Sequence, residues 1–176
     1  AGATVWLTGL SGSGKSTIAN ELARELLNTS RLAYILDADN VRHGLNADLG
    51  FTDEDRAENI RRMAEVACLF ADSGLVAVVP IISPFIASRA HARKIHEDRN
   101  LKFIEVHVAT PLDECERRDT KGLYAKVRSG DMTGLSGVDS PYEAPTSPDV
   151  VVGANSESLQ QSVAMIMAKL LVRVGA

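Results

Sequence analysis

Apolar residues follow two spacings along this chain, and the two spacings alternate. Continuous apolar runs of about four to eight residues are typical of strands buried in a parallel sheet, whereas apolar residues about three or four positions apart are typical of helices that pack one face. The runs predict strands at 4–8, 31–36, 76–82, 103–108 and 149–152. The helical spacing predicts helices at 16–27, 41–45, 52–73, 86–97, 111–119 and 159–172.

This alternation predicts an α/β fold with three layers, because helices that connect parallel strands must cover both faces of the sheet. We expect a central parallel sheet of about five strands, with ligands bound at the carboxyl ends of the strands. The 176 residues suit a single domain, 1–176, which is either a compact enzyme or a domain cut from a longer fusion.

Several side chains are expected to begin or pack the helices. Thr52 is the predicted N-cap of the long helix, Ser156 of the last helix, and Asp39 of the short helix that follows the second strand. Polar and charged residues of 86–97 are expected to form a solvated face. One face of the long helix should lie in the core, through Ile60, Met63, Ala64, Ala67 and Cys68.

The stretch from Gly9 to Thr17 fits a phosphate-binding loop placed between a strand and a helix. Its glycines let backbone N–H groups turn inward toward phosphate oxygens, and the helix N-terminus adds partial positive charge. Lys15 is expected to reach the β- and γ-phosphates of a nucleoside triphosphate, and the Ser16 hydroxyl to ligate Mg²⁺. The expected nucleotide contacts are Gly9, Ser11, Gly12, Ser13, Gly14, Lys15, Ser16 and Thr17.

Two carboxylates, Asp37 and Asp39, follow the second predicted strand. In a parallel sheet they would lie beside the phosphate-binding loop. The third strand ends in Ile82-Ser83-Pro84-Phe85 and lacks the acid that often positions Mg²⁺ in proteins with such a loop. We therefore expect Asp37 and Asp39 to supply the carboxylates of the site.

Residues 121–137 differ in character from the rest of the chain. The first half is basic, and the second half contains three glycines, Gly130, Gly134 and Gly137. This combination predicts a mobile lid that brings cations over bound phosphates. We call residues 121–137 the lid.

Composition and charge narrow the classes of function. A net charge of −4 argues against a general nucleic-acid binder, and no apolar run approaches the length of a membrane span. We also expect no signal peptide before the first strand. Cys68 and Cys115 fall in helical patterns and are expected to be reduced, buried thiols, so a reducing cytoplasm is the expected location.

Taken together, the motifs resemble those of the adenylyl-sulfate kinase family. They are 9–17, 37–46, 49–51 with 55–62, 82–85, 121–124 and 139–143, and the resemblance runs from Thr4 to about Asp149. It implies a phosphate-loop kinase that uses ATP and Mg²⁺ to phosphorylate the 3′-hydroxyl of adenosine 5′-phosphosulfate in sulfate assimilation. It also implies a homodimer, and fusion to or association with a sulfate adenylyltransferase.

The resemblance implies a role for each matching residue. Lys15 would act on the transferred phosphoryl group, Asp39 on the 3′-hydroxyl, and Asp37 near the metal. Ser83 matches a serine described as a phosphoserine intermediate, although direct in-line transfer needs no intermediate. The implied substrate contacts are Asp39, Arg42, Phe51, Arg56, Asn59, Ile82, Ser83, Lys121, Leu123 and Leu135.

Two positions depart from the family pattern. Ala38 stands between the two acids in place of glycine, and Leu135 stands where the family has a phenylalanine. That phenylalanine would stack on the face of the substrate adenine opposite Phe51. We expect Leu135 to keep apolar contact with that face while losing ring stacking, a difference of ~1–3 kcal/mol.

Two alternatives follow from the same residues. One is a kinase of the same fold that phosphorylates another nucleotide or nucleotide-like hydroxyl, which Ala38 and Leu135 leave open. The other is a nucleotide-dependent regulatory domain. The paired acids count against a regulatory domain, because a simple switch has no need of them.

Overall fold

The computed structural model describes residues 1–172 and arranges them as strands that alternate with helices. The strands are β1 (Ala3–Thr8), β2 (Ala33–Ile35), β3 (Val76–Pro80), β4 (Lys102–Val108) and β5 (Val150–Val152). The helices are α1 (Lys15–Asn28), α2 (Ala38–Val41), α3 (Asp53–Asp72), α4 (Ile86–Glu97), α5 (Leu112–Arg118), α6 (Leu123–Ser129) and α7 (Leu159–Leu171).

The strands form one parallel sheet in the order β2-β3-β1-β4-β5. One buried cluster lies between the sheet and helices α1 and α7, and includes Leu22 and Ile166. A second cluster lies on the other face against α3 and α4, and includes Trp6 and Met63. The predicted α/β fold with three layers is therefore confirmed. Because β1 is central, the phosphate-binding loop leaves the sheet at the middle of its carboxyl edge.

The short helix after β2 starts earlier than predicted. It spans Ala38–Val41, and its N-cap is Asp37, whose Oδ1 accepts hydrogen bonds from the backbone N–H groups of Asp39 (2.9 Å) and Asn40 (2.8 Å). The prediction that Asp39 caps this helix was wrong. Capping by Asp37 leaves the Asp39 carboxylate outside the helix hydrogen bonds and available to the site.

The cap of the last helix was also misplaced by two residues. Ser158 accepts from the N–H of Gln161, and the Gln161 side chain accepts from the N–H of Ser158, which forms a capping box. Ser156, the predicted cap, lies in the loop before the helix with a φ of 58°. The cap of the long helix was correct, since Thr52 accepts from the N–H of Asp55 at 3.1 Å.

Two of the residues of α4 that were expected to form a solvated face are buried instead. Arg89 is buried, and its guanidinium bonds to the Glu105 carboxylate at 2.8 Å and to the Ser83 carbonyl. His96 is buried as well. Both residues occupy the helix face that packs on the sheet, and Arg89 fixes the segment that follows β3.

The expectation of buried thiols is confirmed within the described residues. Cys68 and Cys115 are buried free thiols. From residue 1 to residue 172, every helix is too short or too polar to cross a lipid bilayer.

Candidate active site

Two cavities open at the carboxyl edge of the sheet, one on each side of the phosphate-binding loop. The first, of about 340 Å³, extends from the loop to Asp39, Phe51 and Asn59. The second, of about 610 Å³, extends from the loop to the segment after β5. Both are lined by Gly14, Thr17 and Arg118. The loop therefore forms part of both cavities, so that two substrates, one in each cavity, would both contact it.

The loop has the backbone that the glycine pattern predicts. Gly12 and Gly14 have φ angles of 73° and 103°, in the left-handed region that only glycine adopts without strain. A Cβ at Gly12 would also come within 3.1 Å of the Cys115 carbonyl oxygen. Helix α1 starts directly after Gly14, so its unpaired N–H groups point at the loop.

Lys15 is folded against the loop backbone. Its Nζ donates to the carbonyl oxygens of Gly9 (2.9 Å) and Leu10 (2.7 Å). Burial lowers the pKa of Lys15 to about 7, because the charged form loses its hydration. A bound triphosphate would oppose that shift, since the phosphate oxygens favour the ammonium form.

Asp39 faces the lid across the first cavity. Its Oδ2 lies 2.5 Å from Nζ of Lys121, and both side chains are largely exposed. Asp37, Ser16 and Lys15 line the same cavity. The two predicted carboxylates, the loop lysine and the loop serine are thus brought together in one site.

On the far side of the first cavity, Phe51 presents an open aromatic face. Phe51 is 69% exposed, and the Arg42 guanidinium lies 4.3 Å from the centroid of its ring. Arg42 is fixed by hydrogen bonds of 3.2 Å to the carbonyls of Leu49 and Gly50. The arrangement leaves one ring surface free to stack on a base while the other is held by a cation.

Arg56 connects α3 to the lid. Its guanidinium donates to the Gly134 carbonyl at 2.6 Å and to the Ser136 hydroxyl at 3.1 Å, while Nε donates to the Phe51 carbonyl. Arg56 and Asn59 both line the first cavity, as their shared helix face predicts. The expected pair is therefore placed at the site, and one member also fastens the lid.

Ser83 lines the first cavity together with Ile82, but its hydroxyl is engaged. The side chain is 1% exposed, accepts a hydrogen bond from Trp6 Nε1 (3.1 Å) and donates to the Ile81 carbonyl (3.2 Å). Its φ of 44° is uncommon for a residue other than glycine. This geometry suits a residue that shapes the cavity wall better than one that attacks a phosphorus atom.

The lid is more ordered than the sequence pattern predicts. It contains α6, and it packs its own small core around Tyr124, Cys115 and Leu135. Leu135 is 3% exposed and, like Leu123, is not among the residues that line the first cavity. The expectation that Leu135 covers a substrate base is therefore not met in this structure, because the leucine serves as core of the lid.

Sequence reasoning missed Arg118, which lines both cavities. It ends α5, and its Nε is held by the Glu114 carboxylate at 2.8 Å. The second cavity, lined also by Thr110 and Gly153, was missed as well. A basic residue at a helix C-terminus just before a basic lid is the signal that could have indicated Arg118.

Comparison with known proteins identifies the family. Residues 1–153 match the family model described as adenylylsulphate kinase. The chain is 53% identical to the adenylyl-sulfate kinase of Clostridium kluyveri, over 98% of this chain and 85% of that protein. It is also 58% identical to the bifunctional enzyme CysN/CysC of Mycobacterium tuberculosis, over 85% of this chain and 24% of that protein.

A solved structure agrees with these sequences. The structure of the Mycobacterium tuberculosis APS kinase CysC in complex with AMPPNP and APS superposes with a TM-score of 0.92 and 52% identity. The superposition covers 96% of this chain and 97% of that one. The chain therefore belongs to the adenylyl-sulfate kinase family, and it is a kinase with the phosphate-loop fold.

Proposed function

We propose that this chain transfers the γ-phosphoryl group of ATP to the 3′-hydroxyl of adenosine 5′-phosphosulfate. The observation that carries the proposal is the first cavity, which has a volume of about 340 Å³. A loop lysine, Lys15, an exposed carboxylate, Asp39, and an open aromatic ring, Phe51, all line it. The family match and the likeness to an APS kinase structure with AMPPNP and APS support the same assignment.

ATP would lie with its phosphates on the loop and its base in the second cavity, which shares Gly14, Thr17 and Arg118 with the first. Backbone N–H groups of the loop and the ammonium of Lys15 would hold the β- and γ-phosphates. Arg118 lies between the two cavities and would place its cation next to the phosphate chain.

Magnesium fits the oxygen donors of the site. Asp37 caps α2 through Oδ1 alone, so its Oδ2 takes no part in the cap, and Ser16 is an exposed residue on the same cavity. Such hard oxygens suit Mg²⁺, which keeps several waters and phosphate oxygens in its shell. Residues 1–172 contain no cluster of three His, Cys, Asp or Glu able to hold a metal alone, so the nucleotide would complete the shell. Bound there, Mg²⁺ would neutralise phosphate charge.

The acceptor would occupy the first cavity beyond the loop. Its adenine would stack on Phe51, and its phosphosulfate would lie near the guanidinium groups of Arg42 and Arg56. Lys121 and Asn59 would provide further donors from opposite walls. Ile82 and Ser83 would form the floor, whereas Leu123 and Leu135 would act through the packing of the lid.

Asp39 would accept the proton of the 3′-hydroxyl as the oxygen attacks the γ-phosphorus in line with the departing ADP oxygen. Its exposed carboxylate already faces Lys121, which would hold it in place. Lys15 would stabilise charge on the transferred group. Direct transfer leaves Ser83 with a positioning role, in agreement with its two buried hydrogen bonds.

Relatives such as CysN/CysC are bifunctional, and this chain matches about a quarter of their length, 24%. This supports a further proposal that the kinase acts beside a sulfate adenylyltransferase, and that residues 1–176 form one kinase domain. We also propose that the chain forms a homodimer. A cytoplasmic location is proposed as well, because free buried thiols are typical of a reducing compartment.

The test is ADP release by the wild-type chain with ATP, Mg²⁺ and a panel of acceptors. Adenosine 5′-phosphosulfate should be turned over far faster than adenosine 5′-monophosphate or guanosine 5′-monophosphate. Turnover of another nucleotide in its place would favour the alternative of a kinase with the same fold that phosphorylates a different hydroxyl, which Leu135 leaves open. Absence of any transfer would favour a regulatory domain.

A further inference from the structure

We propose that Asn46 is a positioning residue that turns the side-chain amide of Asn59, so that the NH₂ group of Asn59 faces the acceptor. Asn46 is not among the residues that line the first cavity, whereas Asn59 is. The inference rests on the proposed function, because the acceptor it concerns is adenosine 5′-phosphosulfate.

A buried hydrogen bond joins the two amides. Nδ2 of Asn46 donates to Oδ1 of Asn59 at 2.8 Å, and both side chains are buried. A carboxamide carries its acceptor and its donors on opposite sides. With Oδ1 of Asn59 accepting from Asn46, Nδ2 of Asn59 lies on the opposite side of its amide, and Asn59 lines the first cavity.

The direction of this amide matters to an anionic acceptor. A fixed NH₂ group can donate to phosphosulfate or sugar oxygens, whereas the opposite orientation would present Oδ1, which repels the anionic phosphosulfate oxygens. An isolated asparagine samples both orientations, since they differ by a rotation of one torsion angle. Because Asn46 turns its own NH₂ group toward Asn59, the bond selects the donating orientation of Asn59 before the acceptor arrives, which reduces the entropy lost on binding.

The segment that carries Asn46, residues 42–50, is itself fastened to α3. The Arg62 guanidinium makes bonds of 2.6 and 2.9 Å to the two carboxylate oxygens of Asp48, and the N–H of Asn46 donates to the Val41 carbonyl at 2.8 Å. The bond to Val41 fixes the backbone of Asn46 beside Asn59, whereas the Arg62–Asp48 pair lies at the exposed surface, where such pairs contribute little. The same segment leads directly into Phe51.

Stability alone does not account for Asn46. Its Oδ1 is buried without a hydrogen-bond partner, which lowers the stability of the folded state. An apolar side chain of similar volume would avoid that loss. The amide is therefore explained better by what its NH₂ group does to Asn59 than by its contribution to folding.

A double-mutant cycle tests the proposal. Asn46→Leu should raise the KM for adenosine 5′-phosphosulfate roughly tenfold, as for the loss of one hydrogen bond to a charged group, with kcat and the KM for ATP changed by less than about threefold. If Asn46 acts through Asn59, Asn46→Leu should add nothing further to the KM in an Asn59→Ala background. An equal increase in both backgrounds would overturn the proposal.

The matched control is Asp48→Asn, which weakens the attachment of the same segment to Arg62 without touching either amide. It should leave the acceptor KM near the wild-type value. An increase as large as that of Asn46→Leu would mean that the segment as a whole, rather than the amide, sets the KM, and would overturn the proposal.

A second variant keeps the proposal testable if Asn46→Leu fails to fold. Asn59→Asp retains the oxygen that accepts from Asn46 and replaces the outward NH₂ group by oxygen. It should keep a wild-type unfolding temperature to within a few degrees and raise the acceptor KM at least tenfold. An unchanged KM would overturn the proposal, whereas failure of the wild-type chain to use adenosine 5′-phosphosulfate would instead refute the proposed function.

Discussion

Lys121 of the lid and Asp39, just after β2, meet across the first cavity, with 2.5 Å between Nζ and Oδ2. The two residues are 82 positions apart in the chain. A carboxylate that is proposed to accept a proton is thus held by a cation from the lid. Both side chains are largely exposed, so the pair contributes little to the stability of the fold.

Asp39→Asn should lower kcat by at least about a hundredfold and leave the KM for ATP nearly unchanged, because an amide can be positioned like the acid but cannot accept the proton. Steady-state kinetics with both substrates would measure this. Asp53→Asn, at an exposed acid in the first turn of α3, is the control and should behave as wild type. A change confined to the KM for ATP would assign Asp39 to nucleotide binding.

Lys15 should make ATP binding depend on pH. In the free protein the pKa of Lys15 is lowered to about 7, so the side chain is already charged below pH 7. Above pH 7, the side chain must take up a proton when it binds the triphosphate. The dissociation constant of ATP should therefore rise between pH 7 and 9, by up to about tenfold per pH unit. Calorimetry in buffers of different ionisation enthalpy would detect the proton uptake.

Lys15→Met should bind ATP weakly and without this slope, and its kcat should fall by orders of magnitude while the fold is retained. Lys126→Met, at an exposed lysine of α6, should keep the slope. Equal proton uptake by wild type and Lys15→Met would show that another group titrates.

Leu135→Phe should destabilise the chain rather than improve substrate binding. Leu135 is buried against Cys115 and Tyr124, so a larger ring would overpack the lid core and cost ~1–3 kcal/mol. Thermal unfolding should show the loss, and Leu135→Met, which conserves volume, should show less of it. A lower KM for adenosine 5′-phosphosulfate at unchanged stability would indicate that the lid turns this position toward the cavity.

His96 should make stability depend on pH. Its Nδ1 donates to the Ala92 carbonyl (2.7 Å), and its Nε2 is hydrogen-bonded to the Thr4 hydroxyl (2.8 Å), so the ring is held inside the core. Burial lowers the pKa of His96 below its ordinary value of 6.5, so below that pH the unfolded chain binds a proton that the folded chain does not. The free energy of unfolding should therefore fall as pH drops below 6.5.

Chemical denaturation between pH 5 and 8 measures this dependence. His96→Gln should be less stable throughout, but should lose less stability on acidification. His91→Gln, at an exposed position of the same helix, should keep the wild-type dependence. The same slope in His96→Gln as in wild type would assign the titration elsewhere.

The fold was predictable wherever local pattern and packing agree. The bounds of α4, Ile86–Glu97, were predicted correctly because its apolar spacing is regular and an X-Pro boundary precedes it. The lid was predicted as loose because α6 is basic and flanked by glycines. Its helix packs through Tyr124 against Leu10 and Cys115, which lie outside the lid, so no local pattern contains these contacts. Caps were misplaced by two residues where two candidates stood close together.

The site was predictable where a motif fixes both residue type and spacing, as at Lys15 and Ser16. The roles of Arg89 and Arg118 were not, because a charge pattern cannot tell which arginine of a helix turns inward. Whether Leu135 faces the substrate or the lid core was also beyond the sequence. That choice is made by the tertiary packing around residues distant in the chain.

The hydrogen bonds of Arg56 couple the acceptor site to the lid. Its guanidinium is shared between the cavity and the lid residues Gly134 and Ser136. An acceptor anion that draws this cation toward itself changes the number of bonds that hold the lid. Thermodynamic linkage then requires the reverse, so that any movement of the lid alters the affinity for the acceptor by the same factor. Through the side chain of Arg56, the position of the lid therefore depends on whether the acceptor is bound.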